Sequence, residues 1–328
     1  MITFWVAVLA ISILLYVLLD GFDLGVGMLF GMTGDEGRRS AMLSAVSPVW
    51  DGNETWLVVT GVVLWGAFPV VYATLFSAFY LPLLLMLAGL ILRGVAFEYR
   101  ARAEASRWVW DVAFAGGSFV ATFVQGMTVG ALVEGLPVAN GQYAGGEFGW
   151  LSPFAVLCGV GLCLGYALLG ACWLVKKCEG DVRDEAYRLI PFLAIGLLVF
   201  LLVVFVYALA AHLAVMGRWL GRPYLLVLPV VGVVAGLALA HTVRHRRDGV
   251  PFYMVALIFA SAFVTLAISF WPYMIPFSIT IEEAAAPHSS LAFMFWGAGL
   301  FVFPLMLLYT AVNYSVFRGK VGPTTDHY

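Results

Sequence analysis

Residues 3–24 read TFWVAVLAISILLYVLLDGFDL. A membrane-crossing helix needs about 20 predominantly apolar residues, and this run supplies them without a break until Asp20 and Asp23. An ionisable side chain inside lipid costs about 2.5–3.5 kcal/mol on insertion scales, so such groups are kept where they have a partner or a task. Asp20 and Asp23 are three residues apart and share one helix face. No basic stretch precedes the run and no A-x-A site precedes Asp20. It is therefore expected to remain as a membrane helix rather than be cleaved as a signal.

The rest of the chain has the same character. Of its 328 residues, 63% are hydrophobic and 11% charged, against roughly 25% charged in a soluble domain. This excludes a soluble enzyme or a nucleic-acid-binding module and predicts an all-α, polytopic helix bundle. Nine segments have the length and apolarity of a span, at about 3–24, 54–72, 75–97, 109–133, 152–175, 190–215, 224–243, 252–275 and 291–316. The second is the weakest, with Pro69 near its end, and an eight-helix count that merges or demotes it is the alternative.

Charge favours nine. Alternate loops hold Arg38 and Arg39; Arg100, Arg102 and Arg107; Lys176, Lys177, Arg183 and Arg188; Arg244, Arg246 and Arg247; and finally Arg318 and Lys320. These are 14 of the 17 basic residues. The opposite loops hold Arg218 and Arg222 together with the acidic stretches Glu134–Glu147 and Glu282–Glu283. Basic loops stay cytoplasmic, so the N-terminus is expected outside and the C-terminus inside, with a cytoplasmic tail from about 317 to 328. No loop is long enough for a separate domain, so residues 1–328 form one membrane unit. Glycines such as Gly116, Gly117, Gly159, Gly161 and Gly165 are expected to let helices approach closely.

In this orientation Asp20 lies about 26 Å along the first helix, in the inner part of a roughly 30 Å core. Ser47-Pro48-Val49-Trp50-Asp51-Gly52-Asn53-Glu54-Thr55-Trp56 brings Asp51 and Glu54 to the cytoplasmic entry of the second helix. Glu98 ends the third helix and Asp111 opens the fourth. Each has a plainer reading. Asp51 would cap its helix, Glu98 would pair with Arg102 at i,i+4, and Asp111 would be interfacial and structural. The functional reading is a relay of carboxyls that hold and release protons drawn from the cytoplasm.

The histidines, His212, His241, His245, His288 and His327, offer no pair spaced to sandwich a haem, which needs axial ligands deep in the helices. The methionines are scattered. Cys158, Cys163, Cys172 and Cys178 contain no C-x-x-C and read as packing residues. No metal site is expected. The chain is expected to handle protons or support a partner.

Several motifs resemble subunit II of the cytochrome bd-type quinol oxidases: Leu19-Asp20-Gly21-Phe22-Asp23-Leu24-Gly25-Val26-Gly27, Trp50-Asp51-Gly52-Asn53-Glu54-Thr55-Trp56 and Arg93-Gly94-Val95-Ala96-Phe97-Glu98-Tyr99-Arg100. Pro272-Tyr273-Met274-Ile275-Pro276 and Leu307-Leu308-Tyr309-Thr310-Ala311 follow in the family's order, so the resemblance spans the chain. Glu54 and Thr55, where other members carry Gln and Val, are similar to the cyanide-insensitive branch. The resemblance implies a respiratory oxidase in the bacterial cytoplasmic (inner) membrane that oxidises quinol, reduces O2 and generates proton motive force. It also implies a partner, subunit I, that binds haem b and haem d. Small single-helix subunits are the remaining candidate partners, and some members hold a structural quinone. Asp51 and Glu98 match the family's proton route, although Glu98 stands where well-studied members have Asp. Trp56 matches an indole beside the oxygen access route, and Asp20, Asp23 and Glu54 join the expected proton pathway. The alternatives are a stand-alone proton-coupled transporter, which normally shows inverted repeats, and a structural scaffold.

Overall fold

The computed structural model describes residues 1–139, 141–221, 225 and 227–321. Residues 322–328 of the expected tail, with His327, and Arg222 lie outside the described residues.

The chain is a bundle of long helices: α1 Ile2–Phe30, α2 Glu36–Val46, α3 Trp50–Ala67, α4 Pro69–Ala78, α5 Tyr80–Arg100, α6 Arg107–Glu134, α7 Pro153–Lys177, α8 Gly180–Ala210, α9 Ala214–Leu220, α10 Val227–Arg244, α11 Val250–Phe270, α12 Ile281–Ala284, α13 His288–Met294 and α14 Val302–Val316. A π-helical turn over Phe295–Gly299 joins α13 to α14 in one 29-residue apolar unit. Two small hairpins, Val138–Ala139 with Gln142–Tyr143 and Tyr273–Ile275 with Ile279–Thr280, are the β-structure among the described residues.

Among the described residues eight helices are long and apolar enough to cross a membrane. The expected second span, 54–72, is divided. Pro69 cannot donate a backbone hydrogen bond inside a helix, so α3 stops at Ala67 and Pro69 opens α4 after Phe68. At 18 residues α3 is about 27 Å long, but the polar residues of its first turns keep it outside the set of eight.

Two apolar cores fill the bundle. One gathers Phe22, Phe30, Phe114, Trp173 and Phe252, the other Trp5, Leu9, Phe68, Leu90 and Ile275. α1 runs through both and packs on α3, α6 and α7. Outward faces are greasy instead of polar: Phe192, Ile195, Leu198 and Leu202 on α8 are each at least 60% exposed. That is the pattern of a chain whose solvent is lipid or a partner chain, since water would not tolerate so much exposed apolar surface. Among the glycines expected at helix contacts, a Cβ on Gly117 would lie 2.4 Å from Gly89 O, and Gly159, Gly161 and Gly165 face Phe123, Phe200 and Phe259. Gly116 corrects that expectation, because it faces open space. As its sequence neighbour it points about 100° around the helix from Gly117.

Ion pairs tie the basic loops together at one end of the bundle. Arg38 pairs with Glu185, Arg246 with Asp184 (2.9 Å), and Lys320 with Asp248 (2.7 Å). Asp248 also accepts hydrogen bonds from Arg183 Nε (3.0 Å) and the Tyr187 hydroxyl (2.9 Å). Partial burial opposes its ionisation, but the bonds from Lys320 and Tyr187 and the charges of Lys320 and Arg183 outweigh it. The Asp248 carboxyl is therefore held below the usual range. A carboxyl with a lowered folded pKa stabilises the fold above its unfolded value, about pH 4, and that contribution is lost as pH falls through the folded value. Asp248→Asn is thus expected to destabilise the fold at neutral pH by less than about 1 kcal/mol for such a solvent-screened group, seen as a slightly lower melting temperature. The gap between wild type and variant should shrink in thermal scans as pH falls below about 4, and a gap that widened on acidification would contradict the assignment.

Candidate functional site

Asp20 and Asp23 lie where α1 passes between the two cores, and both are completely buried. Opposite them α5 brings Arg93, also completely buried. Its NH1 donates to Asp20 Oδ1 at 3.2 Å, and its NH2 lies 4.0 Å from Asp23 Oδ2. α3 contributes Asn53, whose Nδ2 donates to Asp23 Oδ2 at 2.6 Å and to Leu19 O at 3.2 Å. From α14 the Tyr314 hydroxyl donates to Asn53 Oδ1 at 2.8 Å. Glu54 Oε2 sits 4.0 Å from Arg93 NH1, with its side chain 28% exposed.

The charges do not cancel. One guanidinium balances one carboxylate, and a second uncompensated carboxylate in such a site costs several kcal/mol. Asp20 Oδ2, Asp23 Oδ1 and Arg93 Nε and NH2 have no hydrogen-bond partner. The unpartnered carboxyl oxygens are where a neutralising proton would sit.

A second polar string lies one turn earlier on α1, at Tyr16. Gln125 Nε2, on α6, donates to the Tyr16 hydroxyl at 2.8 Å, and the Tyr166 hydroxyl of α7 donates to Gln125 Oε1 at 3.3 Å. All three side chains are buried.

The other expected residues fall elsewhere. Asp51 and Glu98 are exposed on this chain. Asp51 is not a helix cap, since Val49 holds that position with no side-chain bond. Among the described residues Glu98 forms no ion pair with Arg102. Asp51 shares its stripe of α3 with exposed Val58, Val62 and Trp65, and Glu98 shares one on α5 with Ile91 and Val95. Asp111 pairs with Arg39 (2.6 Å) and Arg100 (2.5 Å), and Arg100 reaches on to Glu36 (2.8 Å), a network separate from the buried acids. Trp56 is fully buried, edge-on to Phe303, with its indole N–H unpartnered. Trp50 stacks on Phe97 at 4.9 Å. Of the expected set, then, Asp20, Asp23 and Glu54 come together. Sequence reasoning left Arg93 out of that set, along with Tyr16, Asn53, Gln125, Tyr166 and Tyr314. A lone arginine in an apolar segment facing two acids was the signal that charge balance could have used.

The sequence profile described as "Cytochrome bd terminal oxidase subunit II" matches residues 1–317. The chain belongs to this family. Curated relatives agree with the match. The "Probable cytochrome oxidase subunit 2" of Haemophilus influenzae is 32% identical over 97% of this chain and 94% of its own. The "Cytochrome bd-I ubiquinol oxidase subunit 2" of Escherichia coli is 31% identical over the same shares. The Bacillus subtilis "Cytochrome bd ubiquinol oxidase subunit 2" is 29% identical over 97% and 96%. A chain in the structure of bd oxidase from Geobacillus thermodenitrificans superposes with a TM-score of 0.80, covering 96% of each chain at 16% identity, and so shares the fold. Membership makes the chain a multi-pass subunit of a bacterial inner-membrane respiratory oxidoreductase complex.

A bd oxidase complex implies haem, so the fit of this chain's residues matters. His212, His241, His245 and His288 are all exposed. The His245 ring sits against His241 O on the same helix. The buried methionines Met42, Met86 and Met127 pack within the apolar cores. These residues do not form an axial pair between helices. Among the described residues no group of three or more His, Cys, Asp or Glu side chains could hold a metal ion.

Proposed function

We propose that this bd oxidase subunit supports a haem-bearing subunit I and gives cytoplasmic protons a carboxylate route toward the oxygen-reduction site, so that quinol oxidation generates proton motive force. The observation that carries the reading is the buried group of Asp20, Asp23, Asn53 and Arg93, which has one carboxyl more than it has guanidinium and a hydrogen-bonded link to Tyr314. Asp51 and Glu98 supply the second part. Each is an exposed carboxyl on a stripe of apolar residues, a position costly in lipid and suited to a wet seam against another chain. Haem b and haem d are assigned to subunit I, because the exposed histidines here make no ligand pair. The same reading places Trp56 beside the oxygen path. It also takes α3 as a ninth crossing, because Glu36, before α3, pairs with Arg100, which ends α5, and with Arg107, which opens α6. The chain must leave that face through α3 and return through α5.

Turnover of the purified complex tests the route. Asp51→Asn and Glu98→Gln are each expected to lower quinol-dependent oxygen uptake about tenfold or more, the scale of a lost proton-transfer group. Asp111→Asn should lower stability while leaving turnover per assembled complex unchanged. Full turnover with full haem content in both Asp51→Asn and Glu98→Gln would remove the proton role. Loss of haem in Asp51→Asn would assign that residue to assembly instead.

A further inference from the structure

The geometry points to Tyr16, Gln125 and Tyr166 as positioning residues that fix Asp20 as the standing carboxylate partner of Arg93 and leave the exchangeable proton to Asp23. This division of labour rests on the proton-route reading above and assigns separate roles to two acids of the same type.

The two carboxyls are not equivalent. Asp20 Oδ1 has the closer guanidinium contact, 3.2 Å against 4.0 Å for Asp23 Oδ2. Its other oxygen, Oδ2, is buried with no hydrogen-bond partner, and Tyr16 stands one turn earlier on the same face of α1. A phenol has one proton to give and two lone pairs to accept with. Gln125 Nε2 already occupies a lone pair of Tyr16, so the phenolic proton is free to turn to Asp20. Tyr166 donates to Gln125 Oε1 in turn, and every donor in the string then points toward Asp20. The reversed amide would take the Tyr16 proton for itself and leave Asp20 facing a lone pair. The orientation with Nε2 toward Tyr16 is therefore the one that suits a charged Asp20.

Asp23 has the opposite surroundings. Its Oδ2 accepts one neutral amide bond from Asn53, and its Oδ1 meets no donor. Oδ1 is thus free to carry a proton, and Asn53 leads from Asp23 to the Tyr314 hydroxyl on α14. The polar and titratable groups facing the pair are Tyr16 on α1 itself, Asn53 and Glu54 from α3, Arg93 from α5, Gln125 from α6, Tyr166 from α7 and Tyr314 from α14. Arg93 is the cation among them, and it lies nearer to Asp20.

Infrared spectra of the purified complex test this directly, since a protonated buried carboxyl has its own C=O band. Asp23→Glu, which keeps the number of carboxyls, is expected to move that band at neutral pH, and Asp20→Glu to leave it in place. Tyr16→Phe removes only a hydroxyl from a buried ring and Gln125→Leu only the amide. Either should shift that band and move the pH midpoint of turnover by about one pH unit, the scale of one hydrogen bond to a charged group. Tyr166→Phe should give a smaller shift in the same direction. A band moved by Asp20→Glu and left in place by Asp23→Glu would overturn the assignment. So would a Tyr16→Phe complex with an unshifted band and an unshifted pH midpoint, a result readable even if the aspartate variants fail to assemble. Because the band is read without turnover, failure of the proton route in Asp51→Asn and Glu98→Gln is distinguishable from failure of this inference.

Discussion

Arg93→Leu is expected to destabilise the subunit by about 3–5 kcal/mol, the cost of removing one partner from a buried ion pair and leaving the other behind. The stem of leucine fills part of the space, so the loss is electrostatic more than steric. With the guanidinium gone, Asp20 and Asp23 share a site that is fully closed to water, and Glu54 stands beside it without a counter-charge. Thermal unfolding of the assembled complex, followed by haem absorbance, measures the effect. The double variant Arg93→Leu/Asp20→Asn should recover more than half of the loss, because neutralising both members of a buried pair costs less than orphaning one. Acidification should narrow the gap between Arg93→Leu and wild type, since added protons discharge the stranded carboxyls. Arg93→Lys should fall between the two, as it keeps the charge but not the planar fork that reaches both acids. A melting curve for Arg93→Leu within 1 kcal/mol of wild type would remove Arg93 as the organiser of the site.

That arginine also marks where the sequence stopped being readable. Eight of the expected spans were legible, because twenty apolar residues between charged loops leave few alternatives, but the second, 54–72, breaks at Pro69. Asp20 and Asp23 were legible as a pair because three-residue spacing on a helix is a local fact. Their partners were not. Arg93, Asn53 and Tyr314 come from three other helices, and which faces of those helices meet depends on packing that periodicity does not encode. Tyr16, Gln125 and Tyr166 were hidden for a different reason. In an apolar run an isolated Tyr or Gln looks like filler until the geometry reveals its partners. Asp51 and Glu98 err the other way. Grouping them with the first-helix acids assumed that residues at one depth share one cavity, whereas helical phase turns these two outward.

Depth of packing supports the second large effect. Gly25→Val is expected to cost more than about 3 kcal/mol, at or beyond the upper end of overpacking penalties, and to prevent stable accumulation of the subunit. A Cβ at Gly25 would lie 1.8 Å from the backbone oxygen of Tyr166 and 3.0 Å from the backbone nitrogen of Gly170. The reverse holds too, since a Cβ at Gly170 would lie 2.5 Å from Val26 N. Both obstacles are main chain, so no rotamer change can relieve them, and α1 and α7 would have to separate along their shared seam. That seam also sets the position of Asp20, Asp23 and Tyr166, so even a folded Gly25→Ala subunit should show reduced turnover together with its lower melting temperature. Gly61→Ala is the control. Nothing lies within 4 Å of its added methyl, and alanine in place of glycine favours a helix by up to about 1 kcal/mol. Membrane yield and thermal midpoint of the three complexes decide the matter. Gly25→Ala and Gly61→Ala behaving alike would mean that α1 and α7 do not meet through backbone at this point.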